Sequence, residues 1–524
     1  MRTAVSNARC VDLAIQSDLP AVQSDVCIIG AGAAGLYLGA ELARLGVDAV
    51  VVEAGGLAAS SSAAAGFVPV FGGGVYSGAT EGRSFGLGGS TTRWGGVLVP
   101  HGGHDLRYDD RQETWHHITT QVAEHSRVVL LRLGWEGGPD FMDYAPVSIP
   151  AAIAALAGSG LDVQAGLILP FRRKNFLGLW RDLHPSSAPL VLVNAVAKDW
   201  SVEHEPGGAP RVTRMQAVSR NGNRVMVHAR RFVIAAGAIE SARILLEIRE
   251  RSRGSMFTSG AVPGRWLGDH LSIPVADVLP DDSDRAISLF APRFEGGWMR
   301  SFRLLPKAPV EGIPRCFAHF IFEQDSTGFR VAKEALGALQ ARRRPKLSLP
   351  EVVSGLGTLS SLAFARVVRS RLHVPRGSPV RLQLDVEQID TGENMITLVD
   401  QVDEFGRRRA KIDWRISDLE RSVIAEAAQR LLSRWPSGLR GLPRLIPRAV
   451  SGFEAKPHDA YHPVGTCRMG DDVDGIVDPD LRVKGAQALW VLSTGVLPTA
   501  GSANPTFTML CLAQGLAMRL GGDR

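Results

Sequence analysis

Apolar residues cluster in two short runs near the start of the chain, Val26 to Ile29 and Ala49 to Val52. Between them, leucines recur with helical spacing from Leu36 to Leu45. An apolar strand, an amphipathic helix and a second apolar strand predict a βαβ unit with two parallel strands. The pattern of an apolar strand, a turn and a helix recurs at residues 231–246. We therefore expect the same parallel sheet to be extended there after a long insertion.

Further strands and helices follow from the same patterns. Alternating strands on both sides of Asn221 and Gly222 predict a hairpin. The other elements predicted from apolar runs and periodicity are strands at 190–198, at 379–398 and at 489–492, and helices at 418–432 and at 505–520.

Three glycines follow the first apolar run at once, at Gly30, Gly32 and Gly35. Gly30 permits a tight turn, Gly32 lets the backbone approach a pyrophosphate, and Gly35 lets the helix lie close to the strand. Glu53 stands where a carboxylate binds ribose hydroxyls, and its charge disfavours the 2′-phosphate of NADP. The alternative is a βαβ unit that binds no nucleotide, and the fingerprint alone does not separate NAD from FAD.

A second glycine-rich run spans residues 86–96 and contains Ser90, Thr91, Thr92 and Trp94. Its unshielded backbone N–H groups suit an anion or the polar edge of a flat cofactor. The alternative is a surface loop, but the tryptophan and the clustered hydroxyls are unusual in a flexible linker.

The length of 524 residues predicts about three units of ~150 residues, and 45% hydrophobic residues suffice for large cores. Five scattered cysteines indicate neither a disulfide framework nor a metal site. The first 25 residues show no apolar run typical of an export signal, and no run of 18 apolar residues suggests a membrane span. We therefore expect a soluble, cytoplasmic protein.

The net charge of +6 is concentrated in residues 331–376, which hold nine Lys or Arg against two acids. A solvated helical face is the plainest explanation. A membrane surface, an acidic partner or a phosphorylated substrate would also suit this segment. No aromatic residues interleave as in nucleic-acid-binding modules, so we expect no nucleic-acid partner.

Taken together, six segments resemble the glucose-methanol-choline (GMC) family of FAD-dependent oxidoreductases. They cover nearly the whole chain in family order: residues 30–35 with Glu53, residues 88–92, residues 233–242, residues 264–270, residues 462–470 and residues 498–506. The amino-acid sequence from Gly88 to Trp94 is similar to that of the sugar-oxidising branch.

The resemblance implies FAD as cofactor and oxidation of an alcohol, on a sugar or glycoside, by hydride transfer to the flavin. It places His462 and Asn504 beside the flavin, where an imidazole can accept the hydroxyl proton and an amide can hold the oxygen. His458 competes with His462 for this role, and Asn504 could instead be the N-cap of the last helix. That helix would point its positive end at the flavin.

The resemblance also implies the cofactor-binding residues. They are Gly30, Gly32, Ala33, Ala34, Gly35, Glu53, Gly88, Gly89, Ser90, Thr91, Arg93, Trp94, Val196, Ala236, Gly237, Ser493, Thr494, Asn504, Pro505 and Thr506. Ser493 replaces the acidic residue of many members. Arg93 stands about where members with covalently linked flavin carry a histidine, so we predict non-covalent FAD, with His101 and His104 as the nearby histidines that could contradict this.

The predicted fold is α/β: a Rossmann-like FAD-binding domain with a parallel sheet (20–105, 190–275 and 455–524) and an α+β substrate domain with an antiparallel sheet (106–189 and 276–454). Two alternatives stay open. One is a lyase on the same scaffold, and the other is a membrane-associated dehydrogenase subunit. The electron acceptor could be oxygen, a quinone or a cytochrome.

Overall fold

A computed structural model of the protein describes residues 9–17, 19–108, 111–137, 155–204, 208–252, 256–257, 261–295, 297–324, 326–341, 343–368, 370–436, 441–450 and 456–522. The strands of these residues are β1 (Cys10–Asp12), β2 (Val22–Ile29), β3 (Ala49–Val52), β4 (Val70–Phe71), β5 (Val97–Leu98), β6 (Leu161–Ile168), β7 (Leu190–Val193), β8 (Val196–Glu203), β9 (Arg211–Val218), β10 (Arg224–Ile234), β11 (His270–Val278), β12 (Arg293–Glu295), β13 (Trp298–Pro306), β14 (Cys316–Phe322), β15 (Val380–Glu387), β16 (Met395–Val402), β17 (Arg408–Asp413), β18 (Leu445–Pro447), β19 (His458–Asp459) and β20 (Leu489–Val491). The α-helices are α1 (Ala33–Arg44), α2 (Ser62–Ala65), α3 (Ser77–Thr80), α4 (Gln112–Arg132), α5 (Gly237–Arg251), α6 (Ser283–Phe290), α7 (Thr327–Gln340), α8 (Leu349–Val368), α9 (Asp418–Ser433) and α10 (Pro505–Gly522).

A mixed sheet carries the first βαβ unit, with strand order β1-β7-β3-β2-β10-β9-β8 and with β20 paired to β10. Strand β10 runs parallel to β2, with Ile234 opposite Ile29, so the predicted extension of the parallel sheet is confirmed. The hairpin predicted at Gly222 is also present, as antiparallel β9 and β10.

The strand predicted at 190–198 is wrong in one respect, because the structure divides it into β7 and β8. Asn194, between them, has a φ of 51°, in the left-handed region that interrupts a strand. β7 lies beside β3, whereas β8 pairs with β9 on the other side of the sheet. The apolar run is continuous, and a run of that kind does not reveal such a break.

The βαβ unit forms because both faces of its strands are covered, as is usual for parallel sheets. All four residues of β3 are buried, and α1 is buried along most of its length. Gly39 of α1 lies against the ring of Trp180, which reaches back to donate a hydrogen bond to the carbonyl oxygen of Leu36 at 2.7 Å.

An antiparallel sheet forms the second layer, with strand order β18-β11-β15-β14-β13-β6-β5; β12 pairs with β13, and β19 pairs with β11. A small third sheet contains β16, β17 and β4. The predicted α/β class, with a parallel and an antiparallel sheet, is confirmed. The division into two domains at the stated boundaries stays a prediction.

Helix α8 departs from the expectation that no segment could span a membrane. By length and composition it is long and apolar enough to do so, and little of it is buried. Glycine, serine and threonine interrupt its apolar residues, so a search for an unbroken apolar run misses it.

Candidate active site

A single cavity of about 560 Å³ links the glycine fingerprint to the last helix. Its lining includes Glu53 at one end and His462 at the other. Every predicted cofactor-binding residue except Gly35 and Gly88 lines it. Gly35 instead packs against the backbone of Gly30, and Gly88 has a φ of 102°, in the left-handed region, beside the cavity wall.

The glycine fingerprint adopts the geometry that each position requires. Gly30 has a φ of 107°, in the left-handed region. A Cβ on Gly35 would lie 1.9 Å from the carbonyl oxygen of Gly30, so only glycine allows α1 to pack this closely. A Cβ on Gly32 would meet no protein atom within 4 Å, because that side of the residue faces the cavity. The space and the uncapped start of α1 fit a pyrophosphate.

Glu53 is buried and accepts three backbone hydrogen bonds, from Ala31 N at 2.7 Å, Gly55 N at 2.8 Å and Gly86 N at 2.9 Å. Burial raises its pKa, while these three bonds act in the opposite direction. A carboxylate has about four acceptor positions, so roughly one remains for a ribose hydroxyl. Glu53 therefore holds the surrounding turns together as well as facing the cavity.

The glycine-rich run forms a short 3₁₀ turn at Gly89–Thr92 and is ordered by its own bonds. Thr91 Oγ1 donates to Gly88 O at 2.5 Å and accepts from Phe176 N at 3.2 Å. Trp94 is half-buried, and its Nε1 donates to Lys174 O at 2.8 Å. The run is thus a structured wall of the cavity, which excludes the flexible-loop alternative.

His462 and Asn504 meet at the other end of the cavity, 42 residues apart in sequence. Asn504 Nδ2 lies 3.0 Å from His462 Nε2, and Arg303 Nη2 donates to Asn504 Oδ1. Both polar ends of the Asn504 side chain are therefore used inside the site, even though the residue directly precedes α10. The Asn504 side chain faces His462 from the start of this helix.

The neighbouring groups define the tautomer of each histidine. His270 Nε2 lies 2.9 Å from the carbonyl oxygen of Gly501, so this nitrogen carries a proton and donates it. In the neutral ring His270 Nδ1 is then an acceptor, and it faces His462 Nδ1 at 3.3 Å. His462 must donate from Nδ1, which leaves its Nε2 unprotonated and accepting from the amide of Asn504. A base is thus presented at the cavity.

Burial keeps both histidines neutral. It lowers the pKa of His462 to about 3, with His270 contributing, and it lowers the pKa of His270 to about 4. Burial also lowers the pKa of Arg303 to about 10, so this side chain is still charged at pH 7. Burial opposes ionisation of Asp385, but bonds from His319 and Ser272 prevail and lower its pKa. A buried negative charge thus lies near the imidazoles.

Asp269 holds the backbone of both histidines in place. Its Oδ1 accepts from His270 N at 2.7 Å and from His462 N at 2.9 Å, and Tyr76 donates to its Oδ2 at 2.6 Å. Burial raises the pKa of Asp269 to about 8. Asp269, His270 and His462 offer ligand atoms within 4.8 Å of one another, but the carboxyl is already engaged by these donors. We interpret the group as a hydrogen-bonding cluster, and the expectation of no metal stays a prediction.

Four further residues singled out from the sequence have identifiable partners. Ser493 Oγ accepts from Gly495 N at 3.2 Å, and Thr494 Oγ1 donates to Pro463 O at 2.7 Å. His458 is exposed, on β19 at the edge of the antiparallel sheet, with its Nδ1 3.0 Å from the carbonyl oxygen of Asp459. His101 is buried, with Thr508 and Ala500 at its two ring nitrogens.

Sequence reasoning missed His270, Arg303 and Asp269 as parts of this site. His270 and Asp269 belong to the segment 264–270 that matched the family, but no role was derived for them. Arg303 lies on β13 of the antiparallel sheet, 201 residues before Asn504. No local pattern marks it, since only the fold brings that sheet against α10.

Comparison with known proteins agrees with this geometry. Residues 25–143 match a family described as FAD dependent oxidoreductase, and residues 390–513 match one described as GMC oxidoreductase. Paromamine 6'-oxidase of Streptomyces fradiae is 25% identical over 95% of this chain and 91% of its own. C-glycoside 3-oxidase of Arthrobacter globiformis is 33% identical over 21% of each chain. The crystal structure of pyridoxine 4-oxidase from Mesorbium loti superimposes with a TM-score of 0.55 at 17% identity, covering 95% of this chain and 99% of that one, and shows the shared fold.

Fold and site define an FAD-dependent oxidoreductase that acts on CH–OH groups. Within that class, residues 390–513 match the GMC oxidoreductase model, and the chain is similar to paromamine 6'-oxidase over 95% of its length. FAD rather than NAD is therefore confirmed as the cofactor, and the lyase alternative receives no support from these relatives.

Proposed function

We propose that this enzyme oxidises a hydroxyl group of a sugar or glycoside to a carbonyl, with His462 as the base. The observation that carries the proposal is the chain of hydrogen bonds from Gly501 through His270, His462 and Asn504 to Arg303, since it leaves His462 Nε2 unprotonated at the cavity. Two relatives are named for oxidation of paromamine at position 6' and of C-glycosides at position 3.

The antiparallel sheet supports a substrate with several hydroxyls. Arg303 stands opposite Gln164 in the register of β13 and β6, and His319 stands opposite Gln383 in that of β14 and β15. Arg303 Nη1 and Gln164 Oε1 are buried and have no hydrogen-bond partner among the described residues. Buried polar atoms nearly always have partners. Neither residue is among the described residues that line the cavity, so a sugar hydroxyl would reach these atoms only if it displaced the bond between Arg303 and Asn504.

In the proposed mechanism, an alcohol enters between His462 Nε2 and Asn504 Nδ2 and replaces the bond between them. His462 Nε2 takes the hydroxyl proton, and Asn504 Nδ2 donates to the substrate oxygen. When bound, FAD supplies the ring that accepts the hydride from the alcohol carbon. Asp385 offsets the positive charge that forms on His462. The start of α10, at Pro505 and Thr506, lines the cavity and adds the positive end of a helix dipole.

We propose that FAD is bound without a covalent link. Of the two nearby histidines, His101 uses both ring nitrogens within the protein, and His104 lies 3.4 Å from Asp162. Neither is among the residues that line the cavity of the described chain. Precipitating the holoenzyme with acid should leave all yellow colour in the supernatant. Colour that remains with the pellet would contradict the proposal.

Three finer assignments complete the proposal. The cofactor domain comprises 20–105, 190–275 and 455–524, and most strands of the mixed sheet lie in these ranges. The substrate domain comprises 106–189 and 276–454, and most strands of the antiparallel sheet lie there. The protein is cytoplasmic. The reduced enzyme is reoxidised by oxygen, a quinone or a cytochrome, and measuring reoxidation rates with each acceptor after anaerobic reduction separates the three.

An anaerobic substrate screen tests the proposal. Free sugars, alkyl glycosides, sterols and simple alcohols are mixed with the holoenzyme, and flavin bleaching is followed by absorbance. We expect bleaching by sugars or glycosides at far lower concentration than by simple alcohols. Bleaching by sterols or simple alcohols alone would refute the substrate class, and product formation without bleaching would refute oxidation.

A further inference from the structure

Helices α7 and α8 form a helical hairpin that stands on the outside of the molecule. The two backbones touch where Gly328 meets Gly355: a Cβ on Gly328 would lie 2.5 Å from the carbonyl oxygen of Gly355, and a Cβ on Gly355 would lie 2.8 Å from Gly328 Cα. A direct glycine contact of this kind lets the two helices pack closely against each other.

One face of α8 is an exposed apolar stripe. Leu349 is 78% exposed, Val353 58%, Leu356 54% and Val367 80%. These positions fall on one side of a helix of 3.6 residues per turn. Leu339 of α7, 66% exposed, adds to the apolar surface of the hairpin. Soluble proteins rarely leave so many large apolar side chains together in water, and such patches mark interaction sites.

The segment that contains this stripe is rich in positive charge. The described basic residues of segment 331–376 are Lys333, Arg343, Arg344, Lys346, Arg366, Arg371 and Arg376, while Arg342 and Arg369 lie outside the described residues. Glu334 pairs with Arg343 at 2.5 Å, and this bond lowers the pKa of Glu334 to about 2. The segment keeps a marked positive excess after this pairing. An apolar stripe in a segment rich in Lys and Arg matches an anionic lipid surface.

Both ends of the hairpin are attached to the body of the protein. At the end of α7, Gln340 Nε2 donates to Thr91 O at 2.8 Å. At the end of α8, the guanidinium of Arg366 lies 3.5 Å from the ring centroid of Phe294. Because both ends of the hairpin contact the same folded body, α8 would lie on a bilayer rather than cross it, even though it is long enough to span.

We propose that the hairpin docks this enzyme onto the surface of an anionic phospholipid membrane, with the stripe of α8 in the headgroup region and the basic residues against the phosphates. A second copy of the chain is a poorer occupant, since pairing two such hairpins would bring their positive charges together. The proposal does not depend on the substrate, and its test does not use catalysis.

Co-sedimentation with vesicles tests this directly. The holoenzyme is mixed with phosphatidylglycerol–phosphatidylcholine vesicles and with pure phosphatidylcholine vesicles at low and high salt. We expect binding to the anionic vesicles that weakens as salt screens the charges. The double variant Leu356→Asp, Val367→Asp should bind at least about tenfold more weakly, because two charges enter the interface. Leu419→Asp, at an exposed leucine of α9, is the matched control and should bind as the wild type does.

FAD content and circular dichroism check that each variant is folded. Three results would overturn the proposal: no binding of the wild type to anionic vesicles at low salt, equal loss in the Leu419→Asp control, or unchanged binding of the folded double variant. Sedimentation velocity without lipid adds a fourth. A wild-type dimer that the double variant converts to monomer, without vesicle binding by either, would assign the stripe to self-association.

Discussion

The two ends of the cofactor cavity are built in opposite ways. At the nucleotide end, the functional groups are mostly backbone N–H groups and glycines within a stretch of about 24 residues, with Glu53 as the one carboxylate. At the reactive end, they are side chains from four distant segments, with His270, Arg303, His462 and Asn504 joined in one chain of hydrogen bonds. A local motif can supply binding, whereas placing a base beside a substrate requires the whole fold.

Because the two ends are built separately, deleting a side chain at the reactive end should slow flavin reduction without weakening FAD binding. His462→Ala should bind FAD normally and slow flavin reduction by roughly 10³-fold, within the 10²–10⁴ range that a positioned base contributes. Anaerobic stopped-flow absorbance measures the rate. His458→Ala, four residues away on an exposed edge strand, is the control and should reduce its flavin at the wild-type rate.

If His458→Ala loses the activity and His462→Ala keeps it, the assignment of the base is wrong. If both variants lose FAD, the two ends are not separable in the way described, and the comparison fails.

At the nucleotide end the opposite result is expected. Gly32→Ala places a methyl group in the cavity without touching the protein, so it should weaken FAD binding by roughly 10- to 100-fold, the equivalent of 1–3 kcal/mol of overpacking, with little change in stability of the apoprotein. Gly35→Ala is the contrasting variant, because its methyl group would meet the Gly30 carbonyl oxygen at 1.9 Å and destabilise the fold itself. Equilibrium dialysis and thermal unfolding distinguish the two. Equal effects on binding and stability would refute the division of roles between Gly32 and Gly35.

His270 sharpens the comparison because it acts through another residue. His270→Phe keeps a ring against Phe317 but removes the acceptor that orients His462 Nδ1–H. We expect flavin reduction to slow by roughly tenfold, part of the contribution of a positioned base. KM and FAD affinity should stay unchanged, and the dependence of the rate on pH should alter. A loss of FAD or of stability with no change in the pH profile would mean that His270 only fills space.

The smallest expected effect is that of pH on the wild type. Since the pKa of His462 is lowered to about 3, its base form is complete from pH 8 down to pH 5, and flavin reduction should change by less than about twofold. Stability behaves differently. In the unfolded chain His462 and His270 have a pKa of about 6.5 and bind protons below that pH, whereas in the folded protein they stay neutral. The free energy of unfolding therefore falls as pH drops below about 6.5. A steep fall in reduction rate near pH 6.5 would contradict the buried, neutral base.

The contrast between the two ends also explains what could be predicted from sequence. Gly30, Gly32 and Glu53 are close in the chain, so spacing alone indicates their geometry. His462 and Asn504 came from the family resemblance, and their 3.0 Å contact could not be derived from spacing. Arg303 had no signal, because its place depends on the packing of a sheet against a helix.

The surface segment shows the same limit. Counting charges in residues 331–376 located the basic segment but not the apolar stripe of α8. That stripe appears only when side chains are sorted by exposure, because Leu349, Val353 and Leu356 are separated by polar and small residues. Composition predicts how much charge a segment carries, and the fold determines which face meets water.

The side chain of Gln340 joins the hairpin to the wall of the cavity through the carbonyl oxygens of Thr91 and, at 3.3 Å, Trp94. If the hairpin binds lipid as proposed, Gln340 connects the lipid-binding hairpin to a wall of the cofactor cavity. Thermodynamic reciprocity requires that the factor by which lipid changes FAD affinity equals the factor by which FAD changes lipid affinity. The side chain of Gln340 would carry that coupling. A Gln340→Ala variant should therefore lose it, whatever its sign.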